Sequence, residues 1–215
     1  MVLVLMMLIT KHVKKVLIEY KNGKQKYDII WVCPFLKCWQ QMLQRCYSDK
    51  YKKRQPSYVG CSVCEEWLTF SNFKRWMEQQ DYEGKALDKD LLVSQNKTYS
   101  SETCVFVPRY INNFMLQSKA RRGEHPLGVS YHIRHCKYQA RICSGVGDGK
   151  KSTLEFLGYF EFPEEAHRAW QEAKLLKTEI LICEFSEDSR IKLGLQRVMS
   201  KLKNDLDNNL ITEFF

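Results

Sequence analysis

The sequence predicts an α+β protein: a strand–loop–strand–short-helix unit with flanking helices, followed by a three-stranded antiparallel sheet packed on one helix. Three observations predict it. Two alternating apolar runs, KVLIEY and YDIIWV, flank Asn22-Gly23, the strongest short hairpin turn signal. Between Cys33 and Gln79, apolar residues recur at helical spacing. From Leu127, the runs LGVSYHI, KYQARIC and LEFLGYF read as short strands, and Pro163 then opens a helix. The expected segments are a hairpin arm over 1–32, a first domain over 33–117, a linker over 118–126, a sheet-and-helix domain over 127–183 and a helical tail over 184–215.

The chain has 215 residues, enough for one or two small domains with real cores, and its 44% hydrophobic content argues against disorder. Its formal net charge of +9 favours a polyanionic partner, nucleic acid ahead of an anionic membrane. The opening MVLVLMMLIT has the apolar length of a signal-peptide core but no basic n-region, and it is too short to span a bilayer. It reads as a strand or buried arm. Nine cysteines, an odd count without a secretory signal, point to reduced thiols in a cytoplasm.

In chain order, the hairpin of Val16 to Val32 carries Lys21, Lys24 and Lys26 as a charged ribbon. Pro34 starts a helix whose stripe is Phe35, Leu36, Trp39, Met42, Leu43 and Cys46. Ser48 to Tyr58, SDKYKKRQPSY, reads as a basic loop with interleaved tyrosines, suited to phosphates or to solvent. Cys61 and Cys64 form a C-x-x-C; with Cys33 and Cys46 upstream, the thiols suit either a structural zinc or simple burial. Trp67 to Gln79 reads as a second helix with Ser71 as a cap and Phe70, Phe73, Trp76 and Met77 inward. That helix is expected to give the following unit its core.

The stretch GKALDKDLLVSQNKTYSSETCVFVPRYINNF, from Gly84 to Phe114, reads as strand, loop, strand and short helix. Asp88 and Asp90 bracket Lys89, Asn96 lies in the loop, and the helix after Pro108 carries Asn112 and Asn113. Such oxygen donors suit Mg²⁺ or Mn²⁺, which bind through one or two carboxylates plus substrate phosphate.

With CPFLKCWQQMLQRCYS and YVGCSVCEEWLTFSNFKRWM upstream, then LDKD, NK-YS-ETCVFVP and IN, the span from Cys33 to Phe114 resembles the HNH, or His-Me finger, nucleases carried by bacteriophages. The resemblance implies a ββα-metal fold and hydrolysis of DNA phosphodiesters in a bacterial host cell. It puts Asp88 and Asn112 on the metal and Asn96 in the loop seat, as an orienting group. Lys89 occupies the seat where the general pattern has a histidine acting as general base. Three alternatives follow: Asp90 activates the water, a nearby metal depresses Lys89, or the site is weak or inactive.

Ser118 to Pro126 is polar and basic, a boundary where Arg121 and Arg122 are expected to touch a DNA backbone or merely to link. In the next domain, alternation puts Val129, Tyr131, Ala140, Ile142 and Leu157 on the helix side. Ser130, His132, Gln139, Arg141 and Phe156 fall on the opposite face, polar, basic and partly aromatic. Arg141 toward guanine and Gln139 toward adenine suit a sheet laid in the major groove, with Arg134, Lys137 and His132 on phosphate or base. GVSYHIRHCKYQARI, FLGYFEFPEEAHRAW and EAK resemble the Apetala-two type domain, a three-stranded sheet plus helix that reads DNA and is attached to phage HNH homing endonucleases. In the tail, Ile191, Leu195, Val198, Leu202 and Leu206 predict one long amphipathic helix, for packing or as a dimer seam. The expected partner is double-stranded DNA and no membrane, for a monomer or homodimer. The expected activity is a metal-dependent DNA endonuclease, or an inactive relative acting as a transcriptional repressor or site competitor.

Overall fold

A computed structural model of the chain describes residues 7–9, 13–21, 24–115, 124–143 and 154–215. The Asn22-Gly23 turn and the candidate contacts Arg121 and Arg122 lie outside the described residues. The chain forms two compact units, 1–80 with 97–99, and 81–96 with 100–215. This division differs from a boundary at 118–126: the strand–loop–strand–helix segment groups with the C-terminal half.

In the first unit, β1 (Met7–Ile9), β2 (Val13–Lys21) and β3 (Lys24–Val32) form an antiparallel sheet in that order. In the β2–β3 register Lys21 pairs with Lys24 and Val13 with Val32. Helix α1 (Pro34–Tyr47) starts with its proline in the first turn, where no N–H is missed, and buries Met42 and Cys46. Ser48 to Tyr58 is not the expected loop: it contains α2 (Asp49–Arg54) and a 3₁₀ turn over Pro56–Tyr58. The Tyr51 N–H donates to Ser48 Oγ at 3.3 Å, a side-chain cap, and Asp49 in the first turn and Lys52, Lys53 and Arg54 in the last match the helix dipole.

β4 (Ser62–Val63) precedes α3 (Glu65–Leu68) and α4 (Phe70–Met77). The single helix expected over Trp67 to Gln79 is therefore two helices. β-Branched Thr69 is extended between them (φ −92°, ψ 118°) and stands at the N-cap position of α4 in place of the expected Ser71, without a side-chain cap bond. The break lets Trp67 pack against Phe73 and Trp76, with centroids at 5.1 and 4.4 Å, while Trp39 Nε1 donates to Trp67 O at 2.7 Å. β6 (Thr98–Tyr99) runs parallel to β4 and buries Tyr99.

In the second unit, β5 (Lys85–Asp88) pairs antiparallel with β7 (Val105–Pro108), and α5 (Arg109–Met115) packs on both. β8 (Val129–His132), β9 (Lys137–Cys143) and β10 (Leu154–Phe160) form the expected three-stranded antiparallel sheet, with β9 central. Helix α6 (Pro163–Glu184) covers one face, and α7 (Ser189–Asp207) follows, its first turn capped by Asp188 Oδ1 accepting from the Ile191 N–H at 3.0 Å.

A two-stranded ribbon and a seven-residue helix cannot bury enough apolar surface alone. Here Leu91, Val105, Val107, Ile111 and Phe114 join Trp170 and Leu181 of α6 and Ile191, Leu195, Val198 and Leu202 of α7 in one buried cluster. The helices that complete this core are thus the following ones, not the preceding Trp67 helix as the sequence suggested. The closing residues also take part: Phe215 is in the cluster, and Thr212 Oγ1 is buried between Gln171 Nε2 at 2.9 Å and Asp205 Oδ2 at 2.8 Å. Among the described residues, no helix is long and apolar enough to cross a membrane.

Candidate functional site

The second unit brings together two groups of the residues singled out above. The first group is the turn after β5. Asp88 Oδ1 accepts from the N–H groups of Asp90 at 2.9 Å and Leu91 at 2.7 Å, so the carboxylate closes an Asx-type turn on its own backbone. Burial pushes the Asp88 carboxyl above the usual carboxylate range. The Leu91 N–H opposes this, the Asp90 carboxylate adds to it, and the Asp90 N–H and Lys89 ammonium oppose it further.

Lys89 is only 6% exposed. Its Nζ donates to Asp90 Oδ1 at 2.5 Å and to Asn96 O at 2.6 Å, and Asn96 Nδ2 donates back to Lys89 O at 2.9 Å. The Asp90 side chain, 52% exposed, reaches solvent from this anchor.

Helix α7 holds the turn from behind. Arg197 donates from Nε and Nη2 to Leu91 O at 3.2 and 3.1 Å, and from Nη2 to Asp90 O at 3.1 Å. Burial lowers the Arg197 guanidinium from its ordinary value, while the Asp90 and Asp88 carboxylates pull it back up. Arg190 Nη2 meets the carbonyls of Ser101, Glu102 and Cys104, each at 2.9 Å, just before β7. Gly194 faces Leu91 so closely that an added Cβ would lie 2.5 Å from Leu91 Cγ and 2.9 Å from Leu91 O.

Asn112 lies half-buried on α5. A carboxylate and an amide oxygen are hard donors of the kind Mg²⁺ or Mn²⁺ takes along with water and phosphate. Both turn bonds to the Asp88 carboxylate fall on Oδ1. The donor types of Asp88 and Asn112 therefore fit such an ion. Of the thiols considered for zinc, Cys33, Cys46 and Cys61 are buried and Cys64 half-buried in the first unit. Among the described residues, no three His, Cys, Asp or Glu side chains gather to hold a metal.

The second group is the sheet face away from α6. Val129, Ala140 and Ile142 are buried under the helix, so Ser130, Gln139 and Arg141 face the other way. Tyr131 departs from expectation: it is exposed, lying edge-on to its cross-strand partner Tyr138 at 5.3 Å. Arg141 is exposed and pairs across the sheet with Phe156, which is 48% exposed. Ser130 pairs with Gln139 and accepts from Gln139 Nε2 at 3.0 Å. His132 pairs with Lys137, whose Nζ lies 2.6 Å from Glu161 Oε1. Arg134 is exposed in the 3₁₀ turn after β8, and among the described residues neither Arg134 nor Arg141 meets a carboxylate.

A bulge between Phe156 and Gly158 inserts Leu157, which packs on the helix side, and shifts the register of the strand beyond it by one residue. Gly158 takes φ +146°, a conformation L side chains rarely adopt, and Tyr159 is brought opposite Gln139. Tyr159 sits 4.8 Å from Phe156, 4.6 Å from His135 and 5.3 Å from His132, centroid to centroid, which makes one aromatic cluster. His132 Nδ1 and Gln139 Oε1 are buried beneath it without a partner among the described residues. Gln139 is thus partly engaged inside the face, and Arg141 is its outward-reaching polar group.

No family model, curated protein or solved structure matches the chain. Sequence reasoning did not single out Arg190, Arg197, Gly194, His135 or Tyr159 as site residues. Only Tyr159 had a local signal, the glycine before it that marks a bulge.

Proposed function

We propose that the chain recognises duplex DNA through the free face of the β8–β10 sheet and hydrolyses a phosphodiester at the turn built on Asp88, as phage HNH homing endonucleases do. The observation that carries the reading is the exposed Arg141, unpaired with any carboxylate among the described residues, beside the Phe156–Tyr159–His135–His132 cluster on a sheet whose other face is sealed by a helix. A guanidinium there suits the O6 and N7 of guanine, and Arg134, Ser130 and His132 suit phosphate or base edges.

At the turn, Asp88 and Asn112 would hold Mg²⁺, which when bound supplies positive charge for the scissile phosphate and the leaving oxygen. Asp90 reaches solvent and takes the proton of the attacking water. Lys89 fixes the Asp90 carboxylate and the Asn96 carbonyl, and Asn96 fixes Lys89 O, so the pair orients the acceptor.

One observation favours a second reading, binding without cleavage by a repressor or site competitor. The seat where the general pattern places a histidine base holds a buried ammonium bonded to two oxygens.

The test is selection of bound duplexes from a randomised pool, followed by incubation of the selected site with Mg²⁺ or with chelator. Arg141→Ala is expected to abolish site preference. Asp88→Asn, which keeps an oxygen for the Asx turn, is expected to keep binding and lose cutting. Tight site-specific binding without cutting in Mg²⁺ or Mn²⁺ selects the second reading. Indifference to every duplex at low ionic strength removes both.

A further inference from the structure

The basic stretch after α1 is ordered in a way that the sheet-based reading does not use. Ser48 caps α2, and Lys50, Lys53 and Arg54 stand at i, i+3 and i+4, which puts three cations on one helical face, all exposed. Lys97, also exposed, donates to Ser57 O at 3.0 Å and adds a fourth positive charge beside the following turn. The Arg54 guanidinium lies 5.6 Å from the Tyr51 ring centroid, Tyr51 lies edge-on to Tyr58 at 5.7 Å, and Arg45 covers Tyr58 at 5.8 Å. The tyrosines thereby hold the arginines in place and turn their own rings inward.

Like charges at i, i+3 and i+4 repel one another and destabilise a helix. Among the described residues, none of Lys50, Lys53 and Arg54 has a carboxylate within ion-pair distance to relieve that repulsion. A membrane-surface helix needs an apolar face to insert. The ring of α2, Tyr51, is half-buried against Tyr58, so no such face is offered.

We infer that the first unit carries its own docking surface for nucleic-acid phosphates, made by Lys50, Lys53 and Arg54 of α2 with Lys97. It rests on the nucleic-acid partner proposed above and adds a sequence-independent grip outside the sheet. Lysines and arginines that neutralise phosphates release counterions, so affinity falls with salt by a log–log slope of roughly 0.9 per phosphate.

The test is fluorescence anisotropy of the full chain on a labelled duplex across a potassium chloride series. Lys50→Gln/Lys53→Gln/Arg54→Gln is expected to lower the magnitude of the slope by about 2–3 and to leave the ratio of specific to non-specific affinity unchanged. Lys50→Arg/Lys53→Arg keeps the charges and is expected to keep the slope. Lys192→Gln/Lys203→Gln removes charge from α7 instead and is expected to leave the slope within error. A wild-type slope retained in the triple variant, or an equal fall in the α7 control, overturns the inference while the sheet reading stands. Capture by phosphatidylserine vesicles that is lost in the triple variant, with the duplex slope unchanged, assigns the surface to lipid and overturns it as well. A wild-type chain that ignores duplex DNA removes the sheet reading, and this inference falls with it.

Discussion

Lys89 and Asn96 hold each other's main-chain oxygen: Lys89 Nζ donates to Asn96 O at 2.6 Å, and Asn96 Nδ2 donates to Lys89 O at 2.9 Å. The two bonds close the turn into a ring, and the ring fixes where Asp88 and Asp90 stand. Removing one partner leaves a polar group near the core unsatisfied, at a cost of about 1–3 kcal/mol. Asn96→Ala is therefore expected to lower the unfolding free energy measured in urea by that amount, with a lower midpoint, and to speed hydrogen exchange at the Asp90 and Leu91 amides. An unchanged midpoint with unchanged exchange would show that the ring does not hold the turn.

The same turn is held from α7, and the closeness of that contact gives a signed expectation. In a helix interior, Gly→Ala ordinarily stabilises by about 0.8–1.0 kcal/mol. At Gly194 the new Cβ would lie 2.5 Å from Leu91 Cγ and 2.9 Å from Leu91 O, inside contact distance of a buried side chain and a carbonyl. Overpacking of this kind costs about 1–3 kcal/mol, so the clash outweighs the propensity gain. Gly194→Ala should destabilise the protein, and Arg197→Gln, which loses the bonds to Asp90 O and Leu91 O, should do so by a further ~1–3 kcal/mol. The residues share one contact, so the double variant should fall short of the sum of the two losses. Strict additivity, or a stabilised Gly194→Ala, would contradict the packing described.

Lys174 makes stability depend on pH. Its side chain is buried between α5 and the chain's closing residues, with Nζ bonded to Phe114 O, 3.2 Å from the Phe114 ring centroid and 5.2 Å from that of Phe215. Burial holds the ammonium down to about 7, with the Cys143 sulfur pulling weakly the other way. In the unfolded chain a lysine titrates near ~10.4. Between those values the unfolded chain binds the proton that the folded chain has lost, so stability rises with pH across that window. Below it both states carry the proton, and the folded chain bears the full cost of the buried charge. The thiols of Cys38 and Cys104, pushed up by burial to about 11 and about 12, act with the opposite sign. Above about pH 8.5 the unfolded chain sheds those protons first and stability falls. The lysine is therefore cleanest between about pH 7 and 8.5. The wild-type urea midpoint should rise over that range and that of Lys174→Met should not. An equal rise in both proteins would assign the effect elsewhere.

Local chemistry made the strands from Leu127 to Phe160 and the helix at Pro163 readable in advance. Alternation, a proline in the first turn and Glu164 and Glu165 at the positive end all agree there. The α7 stripe was readable for the same reason, and Ile191, Leu195, Val198 and Leu202 are all buried. Helix α2 was missed because a run of like charges obscured the Ser48 cap and the charge order that suits the dipole. The buried ends of Arg190 and Arg197 were not readable at all. Their acceptors are main-chain carbonyls some 86 to 107 residues away, and a carbonyl leaves no trace in the sequence. His167 shows the same blindness: its ring is bonded to Leu127 O at 2.8 Å and to the Thr212 N–H at 2.9 Å, a staple for the last residues that no spacing rule announces.

Tyr159 separates recognition from stability. Strict alternation would have put it with Leu157 on the helix side, but the bulge at Phe156–Gly158 sends it to the free face, 38% exposed. An exposed ring contributes little to folding, so Tyr159→Ala should change stability by no more than about 0.5 kcal/mol. If the free face reads DNA, the same change removes a contact beside Arg141 and should weaken duplex binding by roughly tenfold, the equivalent of about 1.4 kcal/mol. Gly158→Ala should also weaken binding while leaving every contact group in the sequence, because alanine is strained at φ +146° and the bulge that aims Tyr159 must shift. Anisotropy titrations beside urea melts measure both quantities on the same samples. Loss of stability without loss of affinity would place Tyr159 in the core and take the aromatic cluster out of the recognition surface.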